Sequence, residues 1–208
     1  MSRRTGPQCR MCRREGMKLF LKGTRCDTVK CSATRREYPP GQHTWRRGTP
    51  SEYGVHLREK QRLKRFFGMT EQQFRRFFGI ASREKGNTGE HLLVLLERRV
   101  DNVIFLLGWG TSRRHARQVI GHGGILINGK KVDIPSYLIK PGDIITAKAT
   151  EKMSRLLKSS LEINKGMDMA GWLERQEEPP QGRVLRMPTA EEASFPVDVQ
   201  LVVELCSR

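Results

Sequence analysis

The chain has 208 residues, with 39 Lys and Arg against 22 Asp and Glu, which gives a formal net charge of +17. This length allows one large domain or two to three small ones, and so positive a charge indicates a polyanionic partner such as a nucleic acid. A membrane span is excluded, because the longest apolar run, residues 92–96, is far shorter than the roughly 20 residues that a transmembrane helix needs.

No secretory signal peptide is predicted, since the Arg-rich residues 1–14 lead into no apolar segment. An Arg-rich start also resembles an organelle transit peptide, but its cleavage would remove the first cysteine pair. The charge is uneven: residues 1–65 hold 18 Lys and Arg against 5 acidic residues, residues 66–160 hold 16 against 8, and residues 161–208 hold 5 against 9. The nucleic-acid-binding face is therefore expected in the first three quarters of the chain.

Four cysteines, Cys9, Cys12, Cys26 and Cys31, lie near the start of the chain. A two-residue gap lets one turn direct both thiolates at a single ion, and a second pair about a dozen residues later completes the tetrahedron that structural zinc prefers. We predict one structural Zn²⁺ here; two disulfides, or cysteines with no joint role, are the alternatives. Many cations surround these cysteines: Arg3, Arg4, Arg10, Arg13, Arg14, Lys18, Lys22, Arg25, Lys30, Arg35 and Arg36.

Helix signals follow a Pro- and Gly-rich linker at residues 38–43. Ser51 can cap a helix that is predicted to run to Phe67, and Thr70 opens a second helix with capping-box spacing. Thr88 then opens a third, longer helix that is predicted to continue to Leu107.

The aromatic residues of the second helix, Phe74, Phe77 and Phe78, recur at helical intervals. They lack the strand context in which aromatic side chains usually stack on RNA bases. We therefore predict that they form part of a core. Cys206, distant from the other cysteines, is predicted to be a packed residue and not a ligand.

A short helix is predicted from a cap at Ser112 to Ile120. At about 100° per residue, its apolar residues fall on one face, and an adjacent stripe presents three guanidinium groups, those of Arg113, Arg114 and Arg117. Because a glycine-rich bend follows at residues 121–124, a phosphate backbone can approach this stripe closely.

Asn128 and Gly129, set between two apolar runs, are the strongest short hairpin signal in the chain. A turn at residues 141–143 leads into another strand, so residues 97–150 are predicted to form a compact α+β module. Residues 199–205 are predicted to be extended or a strand.

The predicted fold class is α+β, with a mostly helical N-terminal half that carries a zinc-stapled knob, followed by a compact helix–helix–β-hairpin RNA-binding domain. The expected divisions are 1–45 for the basic zinc-binding knob and linker, 46–96 for a helical domain, 97–160 for the helix/hairpin RNA-binding domain, and 161–208 for a C-terminal extension that packs back on the body.

Motifs spread over nearly the whole chain occur in a specific order. They are GPQCRMC at 6–12, YPPGQH at 38–43, LREKQ at 57–61, DNV at 101–103, SRRHARQ at 112–118, HG at 122–123, ING at 127–129, VDIPSY at 132–137, KPGD at 140–143 and the terminal SR at 207–208. In this order the chain resembles the bacterial-type family of small-subunit ribosomal protein four, in its zinc-binding, four-cysteine form.

The resemblance implies a cytoplasmic, ribosome-bound structural constituent of the small subunit that is not an enzyme. It implies binding to a junction in the 5′ domain of 16S ribosomal RNA, nucleation of 30S assembly, and a contribution to translational accuracy. Implied partners are neighbouring small-subunit ribosomal proteins and mRNA near its entry region, with no membrane and no small-molecule substrate. Leu106, Gly121 and Gly124 depart from the family pattern and reduce the charge near the bend.

RNA binding is expected to be dominated by phosphate contacts from cations of two regions. The expected contacts are Arg113, Arg114, Arg117, His122, Lys130 and Lys131, together with Arg10, Arg13, Arg14, Arg58 and Lys60.

Two other classes of protein share parts of this pattern. RNA-modifying enzymes such as pseudouridine synthases carry a similar helix–hairpin module, but they need a catalytic domain with a carboxylate in a cleft. Neither the 48 residues after the module nor the 96 before it show the corresponding signals. The other class is a zinc-ribbon DNA-binding regulator. A ribosomal protein would sediment with small-subunit particles, whereas such a regulator would not.

Overall fold

A computed structural model describes residues 6–43, 48–176 and 179–207. Arg3, Arg4 and the expected boundary near residue 45 lie outside these ranges. The chain divides into two compact units, one made of residues 1–92 with 194–208 and the other of residues 93–193. No helix within the described ranges is long and apolar enough to span a bilayer.

The cysteine-rich segment of the first unit forms short helices. They are α1 (Gln8–Glu15), a 3₁₀ turn (Gly23–Cys26) and α2 (Ser32–Arg35). Gly16 ends α1 in the left-handed conformation with φ 69°, and its backbone N–H donates to the carbonyl of Cys12.

The next helices of this unit begin where their caps predict. They are α3 (Glu52–Phe66) and α4 (Glu71–Ala81). The hydroxyl of Ser51 accepts the N–H of Gly54, and that of Thr70 accepts the N–H of Gln73, so both predicted N-caps are confirmed. Burial confirms the predicted core role most clearly for Phe74 and Phe77.

The prediction of an extended segment or strand at residues 199–205 is wrong, because these residues belong to helix α9 (Val199–Ser207). The Asp198 carboxylate accepts the backbone N–H of Gln200 at 3.1 Å and so satisfies an otherwise unpaired donor at the helix start. Val202 is fully buried and α9 packs against α3. Packing of one apolar helix face therefore outweighs the strand preference of the β-branched residues.

The prediction of a single long helix from residue 88 to residue 107 is also wrong. The structure has α5 (Thr88–Glu97) and α6 (Val100–Leu106). Arg99 between them is extended, with φ −66° and ψ 133°, and pairs with Leu138 in an isolated bridge. The N–H of Val100 donates to the carbonyl of Tyr137 at 2.9 Å, so pairing with a distant segment replaces the helical hydrogen bonds here.

The second unit continues with α7 (Arg113–Gly121) and a five-stranded antiparallel sheet in the order β2-β1-β3-β5-β4. The strands are β1 (Ile125–Ile127), β2 (Lys130–Val132), β3 (Ile144–Ala147), β4 (Leu173–Gln176) and β5 (Gln181–Val184). Helix α8 (Glu151–Ile163) lies between β3 and β4 in sequence.

The predicted Asn-Gly hairpin is confirmed. Asn128 and Gly129 have φ of 49° and 76°, the left-handed pair that a two-residue turn with the twist of a hairpin requires. By contrast, β4 and β5 lie in the part of the chain where only a C-terminal extension was expected.

One apolar cluster holds the second unit together. It draws buried residues from α6, α7, α8 and the strands, including the fully buried Trp109 and Trp172. A Cβ at Gly182 on β5 would lie 2.6 Å from a methyl group of Leu107, so glycine at this position lets α6 and the sheet approach closely.

Candidate nucleic-acid interface and cysteine pocket

The four cysteines line one small pocket of the first unit, together with Gln8, Leu21, Lys22 and Ala33. The first two lie on α1, Cys26 lies on the 3₁₀ turn, and Cys31 is the N-cap residue of α2. All four are free thiols. Within the described residues no three His, Cys, Asp or Glu side chains are arranged as a metal-binding group. The fold therefore gathers the four thiols around one pocket.

Burial is the main influence on two of these thiols. It raises the pKa of Cys12, assisted by the nearby sulfur atoms of Cys26 and Cys9, while the N–H of Leu19 acts in the opposite direction. Burial also raises the pKa of Cys26. At Cys31, burial acts to raise the pKa, but hydrogen bonds from the N–H groups of residues 33 and 34 outweigh it and the pKa is lowered.

The cations predicted near the cysteines differ in their surroundings. Arg10 and Arg14 are exposed. Arg13 donates to the carbonyl oxygens of Tyr38 and Pro39 at 3.0 and 3.2 Å, and its guanidinium lies 4.7 Å from the centre of the Tyr38 ring. Arg13 therefore ties α1 to the segment that follows α2.

Two expected RNA contacts on α3 are paired with carboxylates of the protein. Arg58 lies 3.3 Å from an oxygen of Glu15, whose side chain is fully buried. Lys60 is buried, and its ammonium lies 2.8 Å from Glu71, which also pairs with Lys64 at 2.6 Å. Burial alone would raise the pKa of Glu71, but the two lysines lower it from 4.5 to about 2. These α3 cations are engaged within the unit.

The predicted stripe of three presented guanidinium groups on α7 is wrong for Arg113, which is only 9% exposed. Its Nε donates to Asn102 at 2.8 Å, and its guanidinium lies 4.6 Å from the centre of the Phe105 ring. Burial lowers the pKa of Arg113 to about 10, although Glu97 and Asp101 act to raise it. It therefore remains a cation at neutral pH but faces the protein interior.

Arg117 is held by Asp101, whose side chain is 2% exposed. The Nε of Arg117 lies 2.6 Å from Oδ2 of Asp101, and Arg99 donates to both oxygens of the same carboxylate at 3.1 and 2.8 Å. Burial acts to raise the pKa of Asp101, but the two guanidinium groups outweigh it and hold the pKa below its usual 3.8. A buried carboxylate with two cationic partners therefore anchors α7.

Asn102 extends this arrangement to the end of α5. Its amide donates to the carboxylate of Glu97 at 2.6 Å and to the Glu97 carbonyl at 3.1 Å, while its oxygen accepts from Arg113. The sequence pattern placed Asp101 and Asn102 in a motif without assigning them a role, and it gave no signal for Glu97. The available signal was a polar pair between Val100 and Val103, within an otherwise apolar helical pattern.

The remaining predicted cations lie at the surface. Arg114, His122, Lys130 and Lys131 are exposed. The side chain of Lys131 lies over Gly123, where a Cβ would overlap it, and Gly123 has φ +68°. Glycine therefore allows both the bend and the close approach of this lysine.

Comparison with known proteins bears on what this surface does. The profile of the Ribosomal protein S4/S9 N-terminal domain matches residues 3–97, and that of the S4 domain matches residues 98–145. Relatives named small ribosomal subunit protein uS4 cover all of the chain and are covered fully by it. Identity is 52% in Thermodesulfovibrio yellowstonii and 50% in Halothermothrix orenii, each over 208 residues, and 49% over 209 residues in Thermus thermophilus. This chain belongs to the uS4 family of small ribosomal subunit proteins.

The S4 domain of this uS4 family member contains α6, α7 and the β1–β2 hairpin. The buried Asp101 and its arginine partners also lie within it. Helix α8 and strands β4 and β5 extend the same compact unit beyond the matched residues.

Proposed function

We propose that this chain is a ribosome-bound structural constituent of the small subunit that binds 16S ribosomal RNA at a multi-helix junction of the 5′ domain. We further propose that it nucleates assembly of the 30S body, contacts neighbouring small-subunit proteins and mRNA near its entry region, and contributes to accuracy. Membership of the uS4 family supports the ribosomal role. The family is one of structural proteins and not of enzymes.

The observation that carries the RNA-binding proposal is a set of exposed basic side chains on α7, the bend and the hairpin of the second unit. Arg114 lies on α7, His122 at the bend, and Lys130 and Lys131 on the hairpin. The elements that bear them are fixed by the apolar cluster and by the buried Asp101 network. Rigid elements can place cations at defined phosphate positions, and such contacts set register and orientation.

Recognition should depend on the shape of the RNA. The deep, narrow major groove of an RNA duplex is closed to side chains, so junction geometry and backbone are the readable features. The basic N-terminal region, with exposed Arg10 and Arg14, supplies further cations. Two linked basic surfaces raise each other's effective concentration on a junction that offers both sites.

The experiment compares a folded 16S 5′-domain junction with a linear RNA duplex of equal charge, at physiological salt and with the full-length chain. We expect the junction to bind at least about tenfold more tightly, because only it matches the arrangement of cations. In a sucrose gradient the protein should sediment with small-subunit particles. Equal affinity for both RNAs would identify a general polyanion binder and contradict the proposal.

We propose further that Cys9, Cys12, Cys26 and Cys31 hold one structural Zn²⁺. Their shared pocket and the all-thiol donor set fit the preference of structural zinc. Four thiolates leave no open position for a substrate water, so the ion would have no catalytic part. It would supply folding energy to a segment with few buried apolar side chains.

A further inference from the structure

The bend after α7 lies against a segment beyond the hairpin. The carbonyl oxygen of Gly124 accepts the backbone N–H of Lys148 at 2.9 Å. A Cβ at Gly124 would overlap the terminal methyl group of Met153, on the first turn of α8. The approach to α8 and its first turn therefore pack directly on this glycine.

Lysines occur on both segments that pack against the bend, the hairpin and the start of α8. The side chain of Lys131, on the hairpin, covers Gly123. Lys148 and Lys152 belong to the segment that packs on Gly124. All three are exposed, and in the described part of the chain none of their ammonium groups has a hydrogen bond or an ion pair. Arg155, one turn further along α8, pairs instead with Glu151.

The bend itself offers a phosphate few hydrogen bonds. The backbone N–H groups of Gly123 and Gly124 already donate to the carbonyls of Ile120 and Val119, at 2.8 and 3.1 Å. Gly123 and Gly124 are themselves buried beneath Lys131 and Met153, so what this part of the surface offers is exposed, unpaired cations. A phosphodiester backbone binds such cations through charge, with release of the counterions that it carried.

We infer that the RNA-binding surface of the second unit continues past the hairpin onto Lys148 and Lys152. With Lys131 they flank the glycine bend and bind one stretch of RNA backbone. Both lysines lie outside residues 98–145, the part that matches the S4 domain. This inference rests on the proposed function, since it names further residues of the same RNA-binding surface.

The test is a Lys148→Ala, Lys152→Ala double variant of the full-length chain, titrated against a transcribed 16S 5′-domain RNA over a range of monovalent salt. The matched control is Lys158→Ala, Lys165→Ala. It also removes two exposed lysines, one within α8 and one outside it, and these lie further from the bend in sequence. Circular dichroism and thermal melting check that both variants fold.

The first variant should bind roughly tenfold more weakly at physiological salt, and the slope of log affinity against log salt should flatten by about two. The control should stay within about twofold of the unmodified chain, because its lysines make no proposed phosphate contact. A Lys148→Arg, Lys152→Arg variant keeps the charges and should keep the slope.

Two results would overturn the inference. One is a slope in the first variant equal to that of the control. The other is unchanged RNA affinity with lost incorporation into small-subunit particles, which would assign these lysines to an acidic protein neighbour. Failure of the unmodified chain to prefer the junction over a duplex would instead contradict the proposed function, so the two failures are distinguishable.

Discussion

Two basic regions of this chain differ in what fixes their cations. In residues 6–43 the buried apolar side chains are Leu19 and three cysteines, among the residues described. In the other region, α6, α7 and the β1–β2 hairpin are positioned by a large apolar cluster and by a network around a buried carboxylate. The cations of the first region are therefore positioned around a pocket lined by cysteines, and those of the second region by a packed apolar core.

The comparison also shows that positive charge does not identify an RNA contact by itself. Arg113 and Lys60 have the same formal charge as Arg114 and Lys131, but they are buried beside polar partners of the protein. Removing a cation from water is favourable only when an opposite charge or good hydrogen bonds compensate. Acidic and amide groups of the protein therefore decide which cations are held inside and which remain at the surface for RNA.

Removal of the proposed zinc should give the largest effect and separate the two regions. In zinc-finger peptides structural zinc contributes about 10–16 kcal/mol at pH 7, so chelation or Cys12→Ser should unfold residues 6–43. The core of residues 93–193 should remain protected. Hydrogen exchange measures both regions, and elemental analysis should find one zinc per chain.

Cys206→Ser is the matched control, because Cys206 lies far in sequence from the pocket and should leave the zinc content unchanged. Native protein without zinc, or complete thiol titration of Cys9 and Cys26 with no chelator added, would contradict the prediction.

Replacement of Asp101 by Ala should be the most damaging single change in the second region. It leaves Arg99, which is 1% exposed, without its carboxylate. Loss of one partner from a buried ion pair costs about 3–5 kcal/mol. Chemical denaturation should show this loss, whereas Asp133→Ala, at an exposed acid of the same unit, should change stability little. Equal denaturation midpoints for the Asp101→Ala and Asp133→Ala variants would show that Asp101 does not anchor α7.

Acid should give the smallest effect, through Glu71 of the first unit. Its pKa is lowered from 4.5 to about 2 by Lys60 and Lys64, against the opposing effect of burial. A lowered folded-state pKa contributes stability that is present above pH 4.5 and is lost as the pH falls toward 2. Because the side chain is 36% exposed, solvent screening limits the contribution to below about 1 kcal/mol.

Unfolding of Glu71→Gln between pH 5 and 2 measures this contribution, with Glu37→Gln, at an exposed acid of the same unit, as the control. Both variants should lose stability in acid, but the difference in stability between Glu71→Gln and the unmodified chain should shrink as the pH falls. A constant difference would show that the pairs of Glu71 with the lysines add nothing.

Local features were predictable from the sequence because their causes lie within a few residues. Ser51, Thr70 and Ser112 cap the helices that they were predicted to start, since each hydroxyl accepts a backbone N–H three residues ahead. The Asn-Gly turn fixes its hairpin by its own backbone conformation. The exposed positions of Arg114 and Lys131 also agree with the sequence pattern.

Other features depend on partners distant in sequence. The helix break at Arg99 is set by pairing with residues near 138, and the helical state of residues 199–207 by packing on α3. Arg113 faces the interior because its guanidinium group bonds to Asn102 and lies against the Phe105 ring. Helical periodicity alone does not predict these contacts.

The charge of this protein, the spacing of its cysteines, and the starts of its main helices and of its hairpin can all be derived from the amino-acid sequence. Which cations are paired inside the protein, and which are available to RNA, depends on contacts between residues that are distant in sequence. The reason is physical: charge and capping are properties of single residues and near neighbours, whereas burial and ion pairing depend on which distant groups the fold brings together.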